Sequence, residues 1–329
     1  MKDKRIISEL NRTFRAGERK AKTFLSKKPK RFACAEIFEG GTLLGAEGEK
    51  GRLYEGDNLE IMRAWYYDEE IKGKIKLFYL DPPFFSMSDY DAVINTDDGK
   101  IKSKAYKDSW EEGMKGYLKM LYPRVYLMKE LMAEDGLIFI HVDWHAAHFV
   151  RMMMDDIFGG DSFINEIIWQ YKSGGSSKKH FARKHDNIFL YSKGKKYQLN
   201  IPKEKSYNRG LKPYRFKGVE EFKDEIGWYT LVNMKDVWEI DMVGRTSSER
   251  TGYATQKPEQ LMARIIESAS KEGDLVADPF CGSGSFGVAA AKLGRSFLMA
   301  DSGQLAIKVS TDRLLKEGFA FQYWGRTYL

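Results

Sequence analysis

The feature that most constrains this chain is a pair of short motifs, each of which directly follows an apolar run. Asp81-Pro82-Pro83-Phe84 follows residues 75–80, and Asp278-Pro279-Phe280-Cys281-Gly282-Ser283-Gly284 follows residues 274–277. Both runs are typical of buried strands, and the glycines of the second motif are typical of a turn that opens a helix. Because ligands of an open α/β sheet bind outside the carboxyl ends of its strands, we expect the two motifs to face each other across one cleft.

Further short segments accompany the two motifs, at residues 55–60, 106–110, 135–141, 166–169, 185–188 and 255–258. With its motifs and segments in this order, the chain resembles the β class of DNA amino-methyltransferases. In that class a catalytic D-P-P-Y/F precedes a cofactor-binding F-x-G-x-G. The resemblance spans residues 52–318. It implies an α/β, Rossmann-like class I methyltransferase fold that is circularly permuted. A mostly parallel sheet would carry helices on both faces and an inserted target-recognition region.

The length and the cysteine content bound the class of protein. A chain of 329 residues suits one large α/β domain with a smaller insertion. No stretch approaches eighteen uninterrupted apolar residues, and the N-terminus lacks the apolar core of a signal peptide, so neither a membrane span nor a leader is expected. Two cysteines, Cys34 and Cys281, cannot form a disulfide framework. We therefore expect a cytoplasmic protein without a membrane partner, and the family resemblance implies a bacterial or phage origin.

Positive charge is concentrated in two segments. Residues 1–31 hold twelve Lys/Arg against three Asp/Glu, and residues 170–250 hold eighteen against ten, whereas the whole chain carries a net charge of +7. Such asymmetry is typical of a protein that binds a polyanion, although a solvated tail and a lysine-rich loop would give the same pattern.

The periodicity divides the chain into four parts. Residues 1–50 are interpreted as a flexible or DNA-following basic arm, and residues 51–171 as the catalytic half. Residues 172–250 are interpreted as the target-recognition insert, with a core strand at about 187–192, and residues 251–329 as the cofactor-binding half. Helices are predicted at 58–65, 111–132, 146–157, 258–270, 285–293 and 305–316. Residues 86–105 are predicted to form a long loop.

The catalytic motif suits an exocyclic amine, whose lone pair is delocalised into the base. A carboxylate from Asp81 and a main-chain carbonyl, that of Pro82, can accept hydrogen bonds from its two N–H groups and direct the lone pair at a methyl donor. Pro82 and Pro83 have no N–H that could compete. Phe84 is expected to stack on a base flipped out of the duplex. By resemblance, Asp at the first position favours adenine N6 over cytosine N4.

The second motif suits S-adenosyl-L-methionine, because phosphate-loop patterns are absent. A tight turn at Gly282 and Gly284 can lie against the amino-acid end of such a molecule, and Asp301, which ends the next strand, can accept ribose hydroxyls. The family resemblance implies three further contacts, from Asp57 and Asn58 to the adenine ring and from Lys257 near the methionine end. The complete predicted set is Asp57, Asn58, Asp81, Lys257, Asp278, Phe280, Gly282, Gly284 and Asp301.

Two other groups invite different chemistry. Cys281 lacks the preceding proline that a cytosine-C5 nucleophile has in its catalytic loop, so it is interpreted as a packing residue. His141, His145 and His148 have a spacing that could suit a metal, but methyl transfer needs none and no metal site is predicted.

In the insert, residues with side chains suited to phosphates or base edges are Lys178, Lys179, Arg183, Lys184, Arg245 and Arg250.

These observations predict a site-specific adenine-N6 methyltransferase that acts on double-stranded DNA with base flipping. Cytosine-N4 methylation and adenine-N6 methylation of RNA remain alternatives in the same class. A catalytically silent nucleic-acid-binding subunit is the alternative from another class. The family resemblance also implies a homodimer, and a cognate restriction endonuclease is a further expected partner.

Overall fold

The computed structural model describes residues 2–29, 32–38, 51–83, 85, 89–96, 99–107, 112–172 and 177–326, without the side chains of residues 2–7, 89–96, 99–107 and 326. The helices are α1 (Lys2–Leu25), α2 (Asn58–Tyr66), α3 (Met114–Leu131), α4 (Ala147–Phe158), α5 (Glu259–Ala269), α6 (Ser285–Lys292) and α7 (Gln304–Lys316). The strands are β1 (Phe32–Phe38), β2 (Gly51–Glu55), β3 (Ile75–Leu80), β4 (Asp89–Thr96), β5 (Gly99–Lys107), β6 (Met132–Val142), β7 (Phe163–Gln170), β8 (His185–Ser192), β9 (Lys203–Tyr207), β10 (Phe222–Lys223), β11 (Trp228–Asn233), β12 (Val237–Glu239), β13 (Leu275–Asp278), β14 (Ser296–Asp301) and β15 (Phe321–Arg326).

The main sheet has the strand order β1-β15-β2-β14-β13-β3-β6-β8-β7-β12. Its centre, from β2 to β6, is parallel, and β8 runs antiparallel to both of its neighbours. The mostly parallel α/β sheet predicted from the sequence is therefore confirmed. Strand β3 is almost wholly apolar, as expected of a strand that is buried on both faces.

Helices cover both faces of this sheet. One core packs α1 to α4 against it through side chains such as Trp65 and Leu121, and the other packs α5 to α7 through side chains such as Ile265 and Phe286. The helices predicted after residue 57 are all present. Helix α3 is continuous through Pro123, in agreement with the single helix predicted at 111–132.

The prediction of a flexible arm at the N-terminus is wrong for residues 2–25, which form α1. This helix packs on α3 because Leu10, Phe14 and Ala21 lie on one face and are buried. A Cβ at Gly17 would lie 2.6 Å from the Tyr122 ring, so glycine permits the close approach of the two helices.

The long loop predicted at residues 86–105 is also wrong in part, because β4 and β5 pair there as an antiparallel hairpin. A period-two signal was present in the sequence, since Lys100, Lys102 and Lys104 alternate with less polar residues. Strands β1 and β15, which pair at one edge of the main sheet, were not predicted.

The segment predicted as an insert contains a separate three-stranded antiparallel sheet, in the order β10-β11-β9. The segment is not wholly outside the main sheet, because β12 pairs in parallel with β7 at the far edge.

Among the described residues, no helix combines the length and the apolar character that a bilayer span requires.

Candidate active site

Three carboxylates mark the carboxyl ends of neighbouring strands. Asp81 follows β3, Asp278 ends β13 and Asp301 ends β14, and these strands are adjacent in the sheet. They lie around one cavity of about 480 Å³. The predicted residues that line this cavity are Asp57, Asn58, Asp81, Pro82, Pro83, Lys257, Asp278, Phe280, Gly282 and Asp301. The two motifs, far apart in sequence, thus meet as their strand-end positions led us to expect.

The centre of the site is an ion pair between Asp81 and Lys257. Lys257 Nζ donates to Oδ2 of Asp81 over 2.5 Å, and the two side chains are only 8% and 18% exposed for lysine and aspartate. The other carboxylate oxygen, Oδ1, is buried and accepts no hydrogen bond from the described residues. The pair therefore fixes one oxygen of Asp81 and leaves the other available to a ligand.

The segment before Lys257 is held tightly. Gln256 accepts hydrogen bonds from the N–H and the hydroxyl of Thr251, both at 2.9 Å, and donates to the Glu249 carbonyl. Thr255 has φ +62°, which is unfavourable for a β-branched residue and is often found at functional sites. Ser285 donates to the Lys257 carbonyl over 2.7 Å. These contacts place the lysine before any ligand arrives.

The glycine turn joins β13 to α6 beneath the cavity. Gly282, with φ +49°, donates its N–H to Oδ2 of Asp301 over 3.0 Å, and a Cβ here would crowd the Tyr253 ring. Gly284, with φ +74°, precedes α6 but does not line the cavity. A Cβ at Gly284 would lie 2.7 Å from the Ser310 hydroxyl, so this glycine permits close packing on α7. Of the two glycines, only Gly282 contributes to the cavity wall.

Asp57 and Asn58 are held by Arg124, which sequence reasoning missed. Asp57 caps α2 by accepting the Leu59 N–H, and Arg124 donates to Oδ1 of both Asp57 and Asn58, over 2.8 and 2.6 Å. Asn58 in turn donates to the Pro279 carbonyl over 2.7 Å. Arg124 therefore links α3 and α2 to the glycine turn. No local motif marks it, because its partners lie more than sixty residues away in sequence.

Burial raises the pKa of two of the cavity carboxylates, Asp278 and Asp301. Burial, reinforced by the negative charges of Asp81 and Asp301, raises the pKa of Asp278 well above its usual range. Burial also raises the pKa of Asp301, although N–H groups that donate to it from Gly303 and Gly282 oppose the rise. Burial raises the pKa of the Cys281 thiol as well, which disfavours a reactive thiolate.

The histidines lie in different settings. His141 is fully buried, with Nδ1 2.9 Å from the Tyr79 hydroxyl and Nε2 3.0 Å from Oδ2 of Asp186. His145 contacts Asp143 of its own turn. Within the ranges that the structure describes, no group of three or more His, Cys, Asp or Glu is arranged to hold a metal ion.

The predicted nucleic-acid residues lie outside the cavity. Lys178, Lys179, Arg183, Arg245 and Arg250 are exposed, and Lys184 is half-buried. The loop between β7 and β8 carries Lys178, Lys179, Arg183 and Lys184. Phe84 lies outside the described residues, and so do residues 108–110 of one accompanying segment.

A Rossmann-like sheet with a glycine turn and carboxylates at its carboxyl edge is the arrangement of class I methyltransferases. Residues 75–312 match the DNA methylase family of N6 and N4 amino-methyltransferases, and the chain belongs to this family. It is a DNA methyltransferase, and the methyl donor of its class is S-adenosyl-L-methionine.

Comparison with characterised proteins agrees with this assignment. The type II methyltransferase M.EcaI of Enterobacter cloacae is 30% identical over 73% of this chain and 64% of its own length, so the alignment spans under two thirds of that protein. The type II methyltransferase M2.LlaDCHI of Lactococcus lactis subsp. cremoris is 27% identical over 86% of this chain and 97% of its own. A DNA adenine methyltransferase of Escherichia coli, YhdJ, is 25% identical over 73% of this chain and 76% of its own.

Solved structures share the fold. The PvuII DNA methyltransferase, which is named as cytosine-N4-specific, superposes with a TM-score of 0.57 at 15% identity, covering 81% of this chain and 86% of that one. M1.HpyAVI, solved as a complex with S-adenosylmethionine, superposes with a TM-score of 0.54 at 18% identity, covering 80% of this chain and 98% of that one.

Proposed function

We propose that this protein transfers a methyl group to the N6 amino group of adenine in a specific sequence of double-stranded DNA. The observation that carries the proposal is the divided carboxylate of Asp81. One of its oxygens is held by Lys257, and the other is buried without a partner among the described residues. A buried acceptor without a partner is costly, so a ligand N–H donor has a strong reason to bind there.

An amino group is the donor that this position suits. Oδ1 of Asp81 would accept one N–H of the base, and the carbonyl of Pro82, a residue that is itself buried in the cavity wall, would accept the other. The two acceptors would orient the nitrogen lone pair away from the base plane. Oδ1 would then take the proton that the nitrogen loses, while Lys257 holds the second oxygen in place.

The position of Asp81 requires base flipping. Its free oxygen has almost no exposed surface, and a base that is stacked within a duplex cannot reach it. The target nucleotide must therefore rotate into the cavity, as in other enzymes that act on a base. Phe84, the next aromatic residue after the two prolines, is proposed to stack on the flipped base.

The cavity residues fit S-adenosyl-L-methionine, which when bound supplies a methyl group activated by a sulfonium. The acidic side chains of Asp278 and Asp301 suit the hydroxyls and positive charges of this molecule. Asp81 is proposed to contribute its negative charge as well. Asp57 and Asn58 are proposed to bind the adenine end, and Lys257, Phe280, Gly282 and Gly284 the amino-acid end. Gly284 would act only through the shape of the turn, since it does not line the cavity.

The insert at 172–250 is proposed to recognise the target, with Arg245 and Arg250 near base edges and Lys178, Lys179, Arg183 and Lys184 on phosphates. A homodimer and a partner restriction endonuclease remain predictions as well.

Adenine is preferred over cytosine because Asp rather than Ser precedes the two prolines and because the E. coli relative is named as an adenine methyltransferase. The intact Asp81 and glycine turn argue against a silent subunit. The test is methylation of plasmid DNA, and of RNA in a parallel reaction, with tritiated S-adenosyl-L-methionine, followed by digestion to nucleosides. We expect N6-methyladenine. N4-methylcytosine would overturn the choice of base, and label in RNA alone would overturn DNA as the substrate.

A further inference from the structure

One apolar side chain stands almost wholly in solvent near the candidate active site. Phe181 is 98% exposed, whereas the next most exposed large apolar side chains among the described residues, Phe216 and Ile226, are 61% exposed. Exposure of a whole phenylalanine ring forfeits the free energy of burying it, about 2 kcal/mol. A ring in this position suggests a surface that is covered by a partner.

The loop that carries Phe181 lies at the same edge of the sheet as Asp81. Leu80 pairs in parallel with Ile140, so the turn after β6 lies beside the catalytic motif. Val142 at the end of β6 pairs with Asn187 near the start of β8, and the loop at 177–184 leads into β8. This loop, the turn after β6 and the catalytic motif therefore share one side of the molecule.

The loop is anchored two residues after Phe181. The guanidinium carbon of Arg183 lies 3.8 Å from the ring centroid of Trp144, which is in the turn after β6. The Tyr171 N–H also donates to the Lys184 carbonyl over 3.1 Å. These contacts hold the backbone beside Phe181 against the turn after β6 and the end of β7.

The charge around the ring points to nucleic acid. Residues 171–184 contain five Lys/Arg and no Asp or Glu, and Lys178, Lys179 and Arg183 are exposed. A surround that is wholly cationic favours an anionic partner. In a duplex the phosphates lie outside the base stack. Cations around an apolar wedge can therefore bind the phosphates while the wedge contacts the bases.

We propose that Phe181 enters the DNA base stack and fills the gap that the flipped target base leaves, while the cations of its loop hold the flanking phosphates. This inference rests on the proposed function, because a gap forms only if a base is extruded. The ring would replace lost stacking on the neighbouring base pairs and so lower the cost of extrusion. Stacking of one base on an aromatic side chain corresponds to about five- to 150-fold in affinity.

The test compares wild-type protein with Phe181→Ala and Phe181→Trp, and with Tyr67→Ala as an exposed-aromatic control that lies at the end of α2, outside the proposed insert. The wild type first identifies the methylated sequence. Each variant is then assayed on a duplex with that sequence paired normally and on the same duplex with the target base mispaired, which costs less to extrude. A 2-aminopurine in place of the target reports extrusion by its fluorescence.

Phe181→Ala is expected to lower kcat/KM on the paired duplex about ten- to a hundredfold and to lose much less on the mispaired duplex. Phe181→Trp and Tyr67→Ala should stay close to wild type, and affinity for S-adenosyl-L-methionine should not change. Equal losses on both duplexes, or no loss on either, would overturn the wedge. Failure of the wild type to methylate any DNA would instead overturn the proposed function.

Discussion

Lys257 Nζ lies 2.5 Å from Oδ2 of Asp81, so two residues 176 positions apart form one buried ion pair in the wall of the cavity. The pair holds one oxygen of the carboxylate, while the other is buried without a hydrogen-bond partner among the described residues. It also joins the catalytic motif to the segment before α5, so the two predictions that follow separate catalysis from stability.

Asp81→Asn and Asp81→Ala should abolish detectable turnover, with a loss of at least about a hundredfold, because proton acceptance and orientation of the amine both depend on the carboxylate. Affinity for S-adenosyl-L-methionine should change little, since an interaction made in the transition state is lost without loss of ground-state binding. Single-turnover kinetics and titration calorimetry measure the two effects. Full activity in Asp81→Ala would refute the mechanism.

Lys257→Met should destabilise the protein by about 3 kcal/mol, because it leaves the Asp81 charge buried without its cation. The double variant with Asp81→Asn should recover much of that loss. Lys308→Met, which removes an exposed ion pair with Asp312, is the control and should cost about 0.5 kcal/mol or less. Urea unfolding gives the free energy of unfolding of the wild type and of the three variants. A double variant no more stable than Lys257→Met would show that the ion pair is not the source of the effect.

Asp278→Asn should stabilise the ligand-free protein at neutral pH and weaken cofactor binding. Because burial raises the pKa of Asp278, the folded protein holds this proton more tightly than the unfolded chain, and stability falls as pH rises from about 4 through the raised pKa. The variant lacks this dependence. Its advantage in Tm over the wild type should therefore grow between pH 4 and pH 8. An advantage that is constant with pH would mean that ionisation of Asp278 is not responsible.

Arg124→Met should weaken binding of S-adenosyl-L-methionine about tenfold or more, because Asn58 loses a charge-assisted donor and its link to the Pro279 carbonyl is less fixed. Arg124→Lys should restore little, since an ammonium cannot reproduce the fork that reaches Asp57 and Asn58 together. Calorimetry measures the affinity. Arg151→Met, in a half-exposed pair on α4 outside the cavity, is the control. Equal affinities for the two methionine variants would contradict the role of Arg124.

Features of the fold and of the site that have a local motif or a clear periodicity could be predicted from the sequence. The strand-end carboxylates and the glycine turn carry short motifs, and their helices have clear periodicity. Helix α1 was missed although Leu10, Phe14 and Ala21 have helical spacing, because its many lysines and arginines obscured the stripe. Arg124 could not be predicted, since only the packing of α3 on α2 brings it to Asp57.

The basic face of α1 changes how the role of the N-terminal charge is tested. Deletion of residues 1–31 would remove Phe14 and uncover the Tyr122 ring that it covers, so substitution of exposed arginines is the cleaner experiment. Replacement of Arg12, Arg15 and Arg19 by Gln should flatten the slope of log affinity against log salt by up to about 2.7, at about 0.9 for each phosphate contact. The methylated sequence should not change. An unchanged slope would identify a solvated face, and a changed target would place α1 in a groove.

The pairing of β13 with β3 also determines when activity can arise during folding. Residues 75–78 pair with residues 275–277, so the two sides of the cavity are hydrogen-bonded neighbours across about two hundred residues of chain. Closing so large a loop is entropically slow, and contacts of this kind form late. A chain released from the ribosome or from denaturant therefore acquires secondary structure before it can hold Asp81 beside Asp278. In a refolding experiment, methyl transfer would follow the final closure of the sheet and lag behind the recovery of helical signal.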